Sequence, residues 1–431
     1  TLADGEVRLA AIFARSDEIL PRTFRITGPD PIGLDAANLA KAARIDERMK
    51  SYLLAHNLRG AAIAVVDGTR LVYAKGYTFA EPEPYYMDIE PTTLFRLASI
   101  SKTFAALAVW KALEAGTHSL SSRMQDILGL KRSDGGEPPA PFGEITIRHL
   151  LESNSGLHQM SVRHAVSHAA GDRNGTTQPL TDTAIEHAVA DRTMAGTPGQ
   201  ILKDGRRATV YGRTDYVVLG WIAARLAGVG SFDAALAKLV LEPLHMTRTR
   251  GARSSVEDRQ TDEAIHHLPD HETIVSRVHD DRRIVPTTYG QFNYEVWGGA
   301  AGISSAVVDL ARIGAALNCP VDSPLFSKAA LDDLLRNAVF ADTSGSDKGY
   351  HGFDTAEEAG ATIALEKGGE LPGVRAELWG RTGQRFIAIA RNGNDVEGSR
   401  RHWSLRIDQL AEAVDWGTGD LFPQFGMPPL T

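Results

Sequence analysis

Within residues 34–56 the apolar side chains Leu39, Ala43, Ile45, Met49 and Leu53 recur at helical spacing, with Lys and Arg on the other faces. The pattern predicts an amphipathic helix that packs on a sheet. Strand character follows at once: GAAIAVVDG and RLVYAKGYTF are β-rich runs flanking Asp67-Gly68, a dipeptide that favours a tight hairpin turn. From about 94 to 316 the chain reads mostly helical, with segments at 103–115, 147–152, 215–226, 232–241 and 306–317. Strands return late. GVRAELWG and QRFIAIARNG, joined across Arg381-Thr382-Gly383, form a second hairpin, and 404–414 has the pattern of a closing helix. Residues 1–34 end in TGPDPIG, a connector, and read as an N-terminal extension. An α/β (α+β) fold is predicted. Its antiparallel sheet is built from residues 35–93 and 317–431 and flanked by helices, and the mainly helical 94–316 region is inserted between them.

Composition narrows the function classes. With 431 residues and 43% hydrophobic content the chain can bury a large core. Its formal charge of −8 and lack of a basic block argue against nucleic acid as a partner. Cys319 is the only cysteine, so neither an intrachain disulfide nor a paired-cysteine zinc site can form. No stretch approaches the apolar length that spans a bilayer, since the run at 217–227 is interrupted by Gly and Arg. The protein reads as soluble; because it opens on Thr1, a removed leader is compatible with it, and compartment and oligomeric state stay open. The polar 254–286 segment carries His266, His267, His271 and His279 but no H-E-x-x-H pattern. It is expected to be a solvated excursion over the site entrance. No metal and no cofactor are expected.

The strongest chemical feature is LFRLASISKTFAALAVWKALEAG, which places Ser99 and Lys102 at the start of an apolar helix that stops at Gly116. Residues three apart share a helix face, so the Lys102 amine can reach the Ser99 hydroxyl, while Ser101 points elsewhere. A desolvated lysine with a depressed pKa can serve as the base that a serine nucleophile needs. Taken alone, such a pair is more often a helix cap beside a solvated surface lysine.

From these residues outward the sequence resembles the serine β-lactamase and penicillin-binding protein superfamily, especially the class C β-lactamase-like esterases and D-peptidases, in which Ser-x-x-Lys is the nucleophile motif. Five segments carry the match in the family's order: FRLASISKTF, ITIRHLLESNSGL, VYGRTDYVVLGWI, LEPLHMTRT and WGGAAGISSAVVDLARIGAAL. The resemblance implies a β-lactamase/transpeptidase-like fold and a catalytic tyrosine at Tyr211, with Tyr216 and Gly220 at the matching later positions. It further implies a third element at Lys367-Gly368-Gly369, whose small residues let substrate and nucleophile approach the strand backbone. The oxyanion hole would be the backbone N–H groups of Ser99 and Glu370. Two lysines near the Tyr211 hydroxyl would favour the phenolate and let it move protons.

One position departs from the pattern. Where the peptidases and class C enzymes usually carry asparagine, two residues after the tyrosine, this chain has Arg213. Arg213 could bind a substrate carboxylate or pair with a nearby acid. The expected function is an acyl-enzyme serine hydrolase acting on a small ester, a β-lactam or a D-amino-acid amide, in that order. An acyltransferase on the same scaffold and a catalytically idle binding or sensor protein are the alternatives.

Overall fold

The computed structural model describes residues 23–80, 87–116, 118–159, 182–203, 208–268, 272–276, 278–279, 283–340, 351–394 and 406–430. Seven strands form one antiparallel sheet in the order β1-β3-β2-β12-β11-β10-β9. They are β1 (Thr23–Thr27), β2 (Gly60–Asp67), β3 (Arg70–Ala80), β9 (Thr355–Ala359), β10 (Thr362–Leu371), β11 (Val374–Arg381) and β12 (Arg385–Arg391). The two ends of the chain meet at its centre, where β2 pairs with β12 and Ile63 faces Ile389. Within the inserted region, β4 (Phe95–Arg96), β8 (Ile303–Ser305) and β5 (Thr249–Gly251) make a small second sheet; β6 (Thr273–Val275) pairs with β7 (Ile284–Pro286). The β-lactamase/transpeptidase-like fold read from the sequence is the fold observed.

Period-two alternation decides what each face of the central sheet buries. Ala62, Ala64 and Val66 of β2, with Phe386, Ala388 and Ala390 of β12, pack toward the inserted helices. Ala61, Ile63 and Val65, with Ile387 and Ile389, pack on the other face against the helices Ala36–Ala55 and Ile407–Glu412. Because both faces are covered, these strands read in sequence as nearly continuous apolar runs. The small side chains on the inner face let helix Val307–Leu317 lie close: a Cβ on Gly314 would fall 2.4 Å from that of Phe386.

Several expectations shift. In the first helix Ile45, Met49 and Leu53 are buried, but Leu39 is exposed and Ala42 replaces Ala43 on the buried face. Residues 23–27, within the predicted N-terminal extension, are an edge strand of the sheet; a five-residue strand beside Gly28 gives too short an alternation to stand out. The predicted 232–241 helix is broken into Phe232–Leu236 and a π turn at Ala237–Leu241. The closing helix spans Ile407–Glu412, and a helix with no sequence expectation occupies Lys328–Phe340. The 254–286 segment is no solvated excursion, since Glu263, His266 and His267 are buried. His271 lies outside the described residues. Among the described residues no group of three or more His, Cys, Asp or Glu could hold a metal, and no single helix is long and apolar enough to cross a membrane.

Candidate active site

Ser99 sits where β4 gives way to the helix Ser101–Ala115, in a turn at Ala98–Ile100. That turn is fixed from both sides. Leu97 N–H donates to Ile303 O at 2.8 Å, and Ile303 N–H donates to the buried Ser101 hydroxyl at 3.1 Å. Buried Ala98 takes φ +47°, a left-handed conformation uncommon outside glycine and tolerated where surrounding structure over-determines it. The consequence is that Ser101 becomes structural, while Ser99 is half-buried and opens to a cleft.

The helix after Ser99 is apolar on all sides and runs through the core, which carries Lys102 out of water with it. Lys102 Nζ lies 3.3 Å from Ser99 Oγ and donates to Ala300 O at 2.8 Å. The Ala300 carbonyl reaches this position because Gly299 packs without a side chain; a Cβ there would fall 2.3 Å from Tyr216 O. Burial pulls Lys102 down to about 8; the phenolate form of Tyr211 works against this shift, and the charge on Lys367 adds to it.

Tyr211 enters from the segment before helix Arg213–Ala227. Val210 N–H donates to Ser153 O at 3.0 Å, and a Cβ on Gly212 would fall 2.6 Å from Ser153 Oγ, so this backbone sits tightly on the 153–155 turn. Asp215, pushed up to about 7 by burial, accepts from Ser155 Oγ at 2.6 Å and joins the helix to the same turn. The Tyr211 ring has Lys102 Nζ at 4.7 Å, Lys367 Nζ at 5.3 Å and Arg213 Cζ at 5.5 Å from its centroid. Burial raises its pKa, but Lys102 and Lys367, helped by a hydrogen bond from Ser99, outweigh that and bring the phenol to about 8.

Lys367 comes from β10, its Nζ 3.5 Å from Tyr211 Oη, and is ion-paired with Asp354. Burial alone would lower its pKa; Asp354 and Tyr211 reverse the sign, and Lys367 stays charged. Asp354 also accepts from Gly368 N–H at 3.0 Å. Gly369 is buried against the nucleophile turn, with no room for a side chain. Gly368 directs its N–H away from β11, toward Asp354, and Glu370, two residues further along the strand, directs its own to the same edge. The Glu370 side chain, by contrast, is on the sheet face opposite Lys367, where its carboxylate accepts from Arg375 at 2.7 Å.

One cleft therefore gathers Ser99, Lys102, Tyr211, Arg213 and Glu370, with Lys367 bonded to Tyr211 at its side and Gly368 and Gly369 in the adjoining strand. Its far wall is Phe292, Tyr294, Trp297 and Leu371. That wall and Asp354 were not anticipated. The aromatic run QFNYEVW just before WGGAAG was a usable signal for the wall; Asp354 gave none.

Comparisons with known proteins identify the family and the fold. The family described as Beta-lactamase matches residues 42–411. Esterase EstB of Burkholderia gladioli is 35% identical over 132 residues, 30% of this chain and 32% of EstB, so the match spans about a third of that relative. EstCE1, described as a hydrolase with promiscuous acyltransferase activity, superposes with a TM-score of 0.62 at 20% identity, covering 87% of this chain and 99% of its own. The D-amino acid amidase of Ochrobactrum anthropi SV3 gives 0.60 at 17% identity, covering 86% and 98%. At these identities the structural likeness is one of fold. The chain belongs to the beta-lactamase family, whose members are mostly serine hydrolases.

Proposed function

We propose that this protein is a serine hydrolase that forms an acyl-enzyme at Ser99, its substrate a small ester ahead of a β-lactam or a D-amino-acid amide as the favoured reading. The observation that carries the reading is Lys102 Nζ at 3.3 Å from Ser99 Oγ, with Tyr211 held between Lys102 and Lys367 in the same cleft. In acylation the Ser99 proton passes to the neutral Lys102 amine or the Tyr211 phenolate as Oγ bonds to the carbonyl carbon. The carbonyl oxygen becomes an oxyanion between the N–H groups of Ser99 and Glu370, each worth roughly 2.7–4 kcal/mol by the usual cost of deleting such a donor. As the tetrahedral centre collapses, the bond to the leaving group breaks and the leaving oxygen or nitrogen takes the proton from Tyr211. Water then attacks the ester carbonyl and gives its proton to Tyr211, and the bond to Ser99 Oγ breaks as that oxygen takes back a proton from whichever of Lys102 or Tyr211 carries it, releasing the carboxylic acid. Lys367 keeps its charge throughout and keeps the phenolate accessible.

Intact-protein mass spectrometry after exposure to a reactive ester, a penicillin and a fluorophosphonate tests this. A single covalent adduct is expected, absent from Ser99→Ala and formed about 10²–10⁴ times more slowly in Lys102→Ala, the range of a lost general base. An adduct that persists in Ser99→Ala overturns the assignment. Product analysis with an added alcohol separates hydrolysis from acyl transfer.

A further inference from the structure

The charges around Ser99 do not balance. Lys367 is paired with Asp354, and Lys102 is held by the Ala300 carbonyl, but the guanidinium of Arg213 has no carboxylate within salt-bridge distance among the described residues. It faces the Tyr211 ring, its Cζ 5.5 Å from the centroid. Glu370, the one acid among the cleft-lining residues, turns its carboxylate to the opposite face of β10, where Arg375 holds it. The remaining wall of Phe292, Tyr294, Trp297 and Leu371 supplies no charge. In the reactive form, with Lys102 neutral or its charge offset by the Tyr211 phenolate, the cleft still presents Lys367 and Arg213 against Asp354 among the described residues.

We infer that Arg213 forms an anion subsite beside Ser99, and that the substrate is a small ester or amide that itself carries a carboxylate. The Arg213 guanidinium lies 5.5 Å from the Tyr211 ring centroid and makes no side-chain hydrogen bond among the described residues, which leaves its fork of N–H donors to grip a carboxylate with two parallel hydrogen bonds. Arg213 and Lys102 contact the same Tyr211 ring, so a carboxylate at Arg213 and a carbonyl at Ser99 belong to one small molecule. Of the two roles open to Arg213 in the sequence, pairing with a nearby acid finds no such acid among the described residues. The inference rests on the acyl-enzyme reading above and adds the substrate class to it.

The test compares nitrophenyl hydrogen glutarate, which carries its carboxylate on the acyl group, and carboxynitrophenyl pentanoate, which carries it on the leaving group, with neutral nitrophenyl pentanoate. The unmodified protein, Arg213→Ala and Arg213→Lys are each assayed and each treated with a fluorophosphonate. In the unmodified protein at least one anionic ester is expected to have the higher kcat/KM, by a ratio that falls as ionic strength rises. That ratio is expected to drop about tenfold or more in Arg213→Ala, as for loss of a charge-assisted contact, and to survive in part in Arg213→Lys. The ester that loses more identifies whether Arg213 faces the acyl or the leaving group. A ratio unchanged in Arg213→Ala, with Ser99 still labelled in both proteins, overturns the anion subsite alone. Absence of labelling in the unmodified protein overturns the hydrolase reading beneath it.

Discussion

Tyr211 is faced by Lys102 from the nucleophile helix, Lys367 from β10, Arg213 from its own helix and, one ion pair further out, Asp354. The proton-accepting forms of Lys102 and Tyr211 both grow as pH rises toward about 8, so kcat/KM for a neutral ester is expected to climb through that value. Lys367 lowers both groups; Lys367→Met removes that charge and moves the limb to higher pH. Asp354 raises both, so Asp354→Asn moves the limb to lower pH. Displacement of the two limbs in the same direction would refute this electrostatic account. The neighbouring serines divide differently. Ser99→Ala is expected to lose labelling at nearly unchanged stability. Ser101→Ala leaves the buried Ile303 N–H without its acceptor and is expected to cost about 1–3 kcal/mol in a denaturant titration while Ser99 remains reactive. The Ser99–Lys102 pair was readable in the sequence because three positions on a helix are local geometry. Asp354 was not: it sits in a bend just before β9, its partner Lys367 lies thirteen positions away on β10, and nothing in HGFDTAEE marks one acid among several.

Strand β10 has two jobs that compete for space, pairing with β11 and lying against the nucleophile turn. A Cβ on Gly369 would fall 1.9 Å from Leu97 O and 3.1 Å from Ser99 N, whereas one on Gly368 meets only Asp354 Oδ2 at 3.8 Å. Gly369→Ala must therefore push β10 off the turn. It is expected to cost about 1–3 kcal/mol through overpacking, and on the order of 10²-fold in kcat through misplacement of the Glu370 N–H. Gly368→Ala should keep most of both. Equal, small effects at the two positions, read by esterase kinetics and thermal melting, would detach the strand from catalysis. The two hairpins read from the sequence were visible because glycine marks their turns, Gly68 with φ +61° and Gly383 with φ +71°; the hairpins β9–β10 and β10–β11 turn at Gly360 (φ +68°) and Gly373 (φ +72°), equally marked, although no sequence expectation was placed there. The helix Lys328–Phe340 carries an equally clear period in the buried Leu331, Leu334, Leu335 and Ala338, so the same rule reads it, although no sequence expectation was placed there. Strand β1 is different in kind, since its place is set by pairing with β3 and not by any pattern of its own.

Across the whole molecule, a cleft assembled from distant parts of the inserted region and from strand β10 has to be locked by contacts that no local pattern announces. Arg96 and Glu263, separated by 167 positions, meet at 2.8 Å with both side chains fully buried. The Arg96 guanidinium also donates to Thr288 O and Arg253 O and lies between the rings of Tyr289, at 4.4 Å, and Tyr294, at 4.7 Å. This pair explains why the 254–286 segment looked solvated: its acids and histidines are polar, and only a partner from β4 lets Glu263 go inside. Since Tyr294 lines the cleft and Arg96 lies three residues before Ser99, the same contact joins the nucleophile turn to the aromatic wall. Glu263→Gln leaves an uncompensated buried guanidinium and Arg96→Met an uncompensated buried carboxylate, so each is expected to cost about 3–5 kcal/mol in denaturant unfolding. The double variant Arg96→Met, Glu263→Met removes both charges and should recover much of that loss, giving a coupling energy far from zero. Because Tyr294 loses the guanidinium that packs on it, kcat/KM should stay depressed in the double variant even where stability returns. Single variants that cost less than about 1 kcal/mol, the value of an exposed pair, would show that these parts of the inserted region are held together by apolar packing alone.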